Sequence, residues 1–127
     1  MKRVVLITLM LLVFSSAAAS GSESPEAEKI RYLISSVEIL PGATFIRNGA
    51  EHSPREAAEH LRMKLDKAGR RVRTAEDFIR LCASRSFLSR KPYHLKFGNG
   101  KVVATEKFLR EKLAAFALKN ERPKDTP

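Results

Sequence analysis

The sequence predicts an α+β domain: about four amphipathic helices with a small two- or three-stranded antiparallel sheet. Three observations carry that reading. Four stretches, near residues 25–37, 54–68, 75–82 and 105–116, place apolar residues at helical spacing. Short β-branched or aromatic runs adjoin the turn signals Asn48-Gly49 and Gly98-Asn99-Gly100. Helical and strand segments do not alternate in the βαβ order that a parallel sheet requires.

Residues 1–19 are expected to stand apart from this domain. Lys2 and Arg3 precede an 11-residue apolar-rich run, residues 4–14, and Ala17-Ala18-Ala19 supplies a small-x-small cleavage site. Together they read as a cleavable Sec-type signal peptide. The run is far shorter than the roughly 20 residues needed to cross a bilayer core, and no later stretch replaces it. No Cys stands at the cleavage point and no arginine pair lies in the leader, so neither a lipoprotein nor a twin-arginine substrate is indicated. The expected product is periplasmic or secreted. A polar linker, residues 20–24, leads into one globular unit over residues 25–119, and residues 120–127 are expected to fray.

Ser24-Pro25 opens the first helix as cap and first residue, and Ala27, Ile30, Leu33, Ile34 and Val37 form its apolar face. Pro41-Gly42 stops it. Ala43-Thr44-Phe45-Ile46-Arg47 is a strand running into the Asn48-Gly49 turn. Ser53-Pro54-Arg55-Glu56 is a capping box, in which the Ser53 hydroxyl accepts from the Glu56 N–H and the Glu56 carboxylate accepts from the Ser53 N–H. The second helix then runs to about Ala68 with Ala57, Ala58, Leu61, Leu65 and Ala68 inward, and Gly69 stops it. Thr74 with Asp77 repeats the capping logic for a third helix, whose Ala75, Phe78, Ile79 and Cys82 share a face. Residues 84–91 read as a polar loop. A hairpin follows around the 98–100 turn, with His94 as a surface or hairpin residue. The last helix starts at Thr105 and turns Leu109, Leu113 and Phe116 inward, leaving Phe108 at the stripe's edge.

Charge narrows the partners. The chain carries 24 Lys plus Arg against 14 Asp plus Glu, a net charge of +10. Lys64, Lys67, Arg70, Arg71 and Arg73 concentrate part of that excess at the end of the second helix, where they attract anionic surfaces or simply form a solvated face. Export makes nucleic acid an unlikely partner and leaves lipopolysaccharide phosphates, anionic lipid headgroups or acidic glycans. Phe and Tyr are expected in the core rather than among the charges. Cys82 is the only cysteine, so no disulfide closes within the chain, and its place mid-stripe suits a small buried hydrophobe.

The most suggestive local cluster is Arg47-Asn48-Gly49-Ala50-Glu51-His52, at a strand end just before a helix. Arg47 suits an anion and Glu51 suits orienting the His52 imidazole, which the adjoining helix N-terminus favours as neutral. The competing reading makes His52 a staple against Ala57 and Asn48-Gly49 a plain turn. His52, Glu56 and His60 are weak metal candidates, because the sequence nominates no fourth ligand, and no cofactor is expected. Ser84, Ser86 and Ser89 alternate with Arg85, Arg90 and Lys91 in a loop suited to an anion. No Gly-x-Ser-x-Gly or Ser-x-x-Lys pattern marks any of these serines as a nucleophile.

An ordered series of short motifs runs through the chain: Phe45-Ile46-Arg47-Asn48-Gly49 with Glu51-His52, His60-Leu61-Arg62 with Lys64-Leu65, Thr74-Ala75-Glu76 with Phe78-Ile79, and Ala83-Ser84 with Pro92-Tyr93. In these it resembles a bacterial family of small exported proteins of unknown function, the YfeK-like proteins, across about residues 28–116. The family pattern has Ser-Gly-x-Pro-Tyr where this chain has Ser89-Arg90-Lys91-Pro92-Tyr93. The resemblance implies export and a shared fold, and it implies no activity. The expected role is a small exported binding or interaction domain for an anionic ligand or envelope partner, with Arg47, Asn48, Glu51, His52, Ser84, Ser86 and Tyr93 on one polar surface. The alternatives are a small hydrolase or metal-assisted enzyme using His52 with Glu51 or His60, and a purely structural envelope factor.

Overall fold

The first three helices start where a side chain satisfies one of their free backbone N–H groups. The Ser24 hydroxyl accepts from the Ala27 N–H at 3.1 Å and opens α1 (Pro25–Glu38). A computed structural model of the chain describes residues 23–121; the expected leader and residues 122–127 lie outside the described residues. The Ser53 capping box forms as a reciprocal pair, at 3.1 and 3.2 Å, and opens α2 (Pro54–Ala68), which ends at Gly69 with φ 54°. Thr74 caps α3 (Ala75–Phe78) through the Asp77 N–H at 3.1 Å.

The α3 start also receives help from a distance. The Glu26 carboxylate of α1 accepts the Ala75 N–H at 2.8 Å and the Lys29 ammonium at 2.9 Å. Those two bonds, the Ala75 one foremost, hold the Glu26 carboxyl below the ordinary carboxylate range. After Phe78 the helix widens into a π turn over residues 79–83. The Ser84 hydroxyl donates to the Ile79 carbonyl at 2.6 Å, which satisfies a carbonyl at the turn's start.

The sheet has four antiparallel strands in the order β2-β1-β3-β4, one or two more than the sequence suggested. They are β1 (Thr44–Arg47), β2 (Ala50–His52), β3 (His94–Lys96) and β4 (Val102–Ala104). The added strand is β2, whose Ala-Glu-His carries no β-branched residue and so leaves no strand signal. It exists because Asn48 (φ 51°) and Gly49 (φ 77°) both take the positive φ of a two-residue hairpin turn and fold it onto β1. Pairing of Phe45 with His52 and Leu95 puts those three on the face toward the helices, together with Arg47. Ile46, Glu51 and His94 take the opposite face.

Between sheet and helices lies one core, with Leu33 and Val37 of α1, Phe45 and Leu95 of the sheet, Ala57 and Leu61 of α2, Phe78 and Ile79, and Leu109 all buried. The last helix, α4 (Thr105–Glu121), differs from expectation: Phe108 and Leu109 are buried, whereas Leu113 and Phe116 are half-buried. Leu113 packs against the core from its edge, and Phe116 packs on Tyr32 with ring centroids 4.7 Å apart. Among the described residues no helix is long and apolar enough to cross a membrane.

Residues 84–93 are a tied loop. The Tyr93 N–H donates to the Ser84 carbonyl, the Ser86 N–H to Lys91, and the Arg90 N–H to Ser86, each at 3.0 Å. Closing that turn puts Arg90 at φ 60°, in the left-handed region that favours glycine. Arg90→Gly is therefore expected to raise stability by about 0.5–1 kcal/mol in urea unfolding. Glu26→Ala is expected to lower it by about 1 kcal/mol at pH 7. Because the Glu26 pKa is depressed on folding, that stabilisation is complete above the ordinary value of 4.5 and disappears as pH falls through the lowered one, so parent and variant should converge in acid.

Candidate functional site

α2 turns two stripes toward other parts of the protein. Ala57, Ala58 and Leu61 enter the core. A second stripe, His60, Met63, Lys64, Lys67 and Ala68, continues one turn on to Arg71 and forms one wall of a 520 Å³ groove. Leu81 of the π turn and Ser86, Phe87, Leu88 and Tyr93 of the tied loop form the other wall, and Arg47 closes one end from β1.

A hydrogen-bonded chain crosses that end. Arg47 Nη1 lies 3.3 Å from His60 Nδ1, His60 Nε2 lies 3.2 Å from the Tyr93 hydroxyl, and Lys64 Nζ lies 3.0 Å from the same hydroxyl. A guanidinium only donates, so Nδ1 of His60 accepts and the ring's hydrogen sits on Nε2. The Tyr93 oxygen then accepts from both His60 and Lys64. Its own O–H has no acceptor in that chain and remains free to donate. Lys64 also donates to the Arg85 carbonyl at 3.0 Å, which anchors the ammonium between α2 and the loop.

This chain needs an uncharged imidazole. Burial, then the Arg47 and Lys64 cations, and after them His52 and Lys67, push the His60 pKa down to about 4. The groove's charge is therefore carried by Arg47, Lys64, Lys67 and Arg71, with no carboxylate among its lining residues. None of the four joins an ion pair among the described residues, while Arg31, Arg62 and Arg110 pair with Glu23, Glu38 and Glu76. Burial raises the pKa of the Cys82 thiol, which lies in the core, against the smaller opposing pull of the Lys64 and Arg71 charges.

The structure divides the residues singled out from the sequence. Of the 47–52 cluster, Arg47 reaches the groove, while Glu51 lies on the other sheet face and pairs with Lys96 at 3.3 Å. His52 meets Glu56 at 3.4 Å beside a smaller cavity of 100 Å³, and its Nε2 has no hydrogen-bond partner. The Asn48 side chain accepts from the Ser89 hydroxyl and holds the loop against the β1–β2 turn. Ser84 and Ser86 are buried; their hydroxyls bond Ile79 and the Ser89 N–H. Arg73 lines a separate groove between α1 and α2, and Arg70 is exposed without joining either. His94 is half-buried in β3. Among the described residues no three or more His, Cys, Asp or Glu side chains converge as a metal site would need, and both nitrogens of His60 are engaged.

Met63, Leu81, Phe87 and Leu88 went unnoticed as groove residues. Phe87 corrects the expectation that every aromatic lies in the core, since it is 81% exposed between Arg85 and Arg90. The usable signal was the 3-4 spacing of His60, Met63, Lys64, Lys67 and Arg71, a mixed stripe on a helix whose apolar face was already accounted for.

Fold and groove together define a small α+β domain with an unpaired cationic recess. The chain belongs to DUF5329, a family of unknown function whose model matches residues 24–117. The uncharacterised protein YfeK of Salmonella typhimurium strain LT2 is 38% identical over 93 residues, covering 73% of this chain and 77% of that protein. No solved structure matches the chain.

The folded His60 pKa lies below the ordinary 6.5, so the unfolded chain takes up the proton first and the fold loses stability as pH falls from about 6.5 to about 4. Nuclear magnetic resonance titration of the ring should find that low midpoint, and Arg47→Gln should raise it by removing the nearest cation. His60→Gln should flatten thermal stability across the same pH window.

Proposed function

We propose that this protein is an exported binding domain that takes an anionic ligand in the groove between α2 and the 84–93 loop. One observation carries the reading: four cations, Arg47, Lys64, Lys67 and Arg71, line a single recess that contains no carboxylate. Gathering like charges costs energy unless something of opposite sign shares the space. Arg47 and Lys64 are also held by hydrogen bonds, so an arriving anion meets donors whose positions are already set. The free Tyr93 O–H adds a neutral donor at the same end. A phosphate or sulfate group, with several acceptor oxygens, matches that set.

Export in this reading rests on the charged, apolar and small-residue pattern of residues 1–19. The serine hydroxyls that an esterase would need are already engaged, Ser84 with the Ile79 carbonyl, Ser86 with the Ser89 N–H and Ser89 with the Asn48 side chain, which favours binding over hydrolysis.

Inorganic phosphate is the probe that tests the reading. Saturating phosphate should raise the melting temperature and shift the His60 midpoint upward, because a bound anion offsets the Arg47 and Lys64 charges. Replacing both cations, Arg47→Gln with Lys64→Gln, should weaken phosphate binding by about tenfold or more. Phosphate that moves neither quantity, or that binds the double variant equally well, would remove the proposal.

A further inference from the structure

The outer rim of the groove carries an apolar tip. Phe87 and Leu88 are 81% and 91% exposed, the two most exposed large apolar side chains among the described residues, and they are adjacent. Their loop does not fold back to cover them. The Ser86–Lys91 and Arg90–Ser86 backbone bonds close the turn beneath the pair, and Ser89 ties it to Asn48 of the β1–β2 turn. The pair therefore stands outward on a fixed base.

Cations surround it. Arg85, Arg90 and Lys91 are exposed on the loop itself, Lys67 and Arg71 rise from the facing wall, and residues 84–93 contain no Asp or Glu. Two apolar side chains projecting from a ring of positive charge match a surface that is anionic outside and hydrocarbon beneath. A second copy of this chain would bring a like-charged ring against the first. A polynucleotide would leave Leu88 without a stacking partner.

From this geometry we infer that the 84–93 loop docks the protein on an anionic phospholipid bilayer, Phe87 and Leu88 entering the acyl region and a headgroup phosphate entering the groove. The inference rests on the anion-binding reading above and adds the identity of what carries the anion. Headgroup and tip are compatible because Phe87, Leu88, Lys64 and Tyr93 all line one groove.

The chain contains no tryptophan, so Phe87→Trp gives a unique fluorophore at the tip of the protein without its apolar leader. Vesicles of phosphatidylglycerol should shift its emission to the blue, and brominated acyl chains should quench it. Vesicles of phosphatidylcholine should do neither. In the Phe87→Trp background, Lys67→Glu with Arg71→Glu should reduce partitioning onto phosphatidylglycerol by about tenfold or more, as should Leu88→Ser. Circular dichroism confirms that each variant is folded. An indole that stays in water on phosphatidylglycerol overturns the docking inference; if inorganic phosphate still binds, the anion-binding reading survives, and if it does not, both fall. Equal insertion into both lipids, or a concentration-dependent dimer that buries the indole without lipid, also overturns it.

Discussion

Tyr93 joins the core of this protein to its cationic groove. Its ring packs on Phe45 at 5.1 Å and meets His60 edge-on at 5.8 Å, while its hydroxyl takes hydrogen bonds from His60 and Lys64. Its backbone receives the Thr105 N–H and donates to Ser84, so the loop, the sheet and the start of α4 meet at one residue. A phenol suits that place because its body is apolar and its tip is polar. Phenylalanine would fill the same volume and leave Lys64 and His60 without their common acceptor. The core and the groove thus depend on the two ends of one ring.

The same arrangement explains how a cationic recess coexists with a stable fold. His60 stands between Arg47 and the hydroxyl that Lys64 also contacts, and as a neutral ring it accepts from one neighbour and donates to the other. A charged imidazole there would add a third positive group and remove the acceptor that Arg47 uses. Repulsion is limited further because Lys64 bonds to a backbone carbonyl and Arg47 projects from the sheet, which separates the cations by direction as well as by sequence.

What the sequence disclosed depended on how local the cause was. Helix starts were legible because Ser24, Ser53 and Thr74 act on N–H groups within three residues of themselves. The second strand was not, since Ala50, Glu51 and His52 are extended only by their register with Phe45, Ile46 and Arg47. The π turn depends on Ser84 reaching back to Ile79, a choice no periodicity announces. At the site, Arg47, Lys64, Lys67, Arg71 and Tyr93 were each identified, though in two separate groups. Their union needs Arg47 beside His60 across 13 positions and Tyr93 beside Lys64 across 29, distances set by tertiary packing alone. Glu51 was grouped with Arg47 by adjacency in the chain, and strand alternation sends the two to opposite faces.

Cys82 sits in the middle of the core at 1% exposure, its thiol disfavoured from ionising by burial. A thiolate is the species that attacks disulfides and reacts with oxidants, so this sulfur is shielded both sterically and chemically once the chain has folded. It is the chain's single cysteine, so no disulfide has to form within the chain for the core to collapse around it. The fold therefore makes no demand for an oxidising compartment, unlike small domains whose cores are stapled by disulfides.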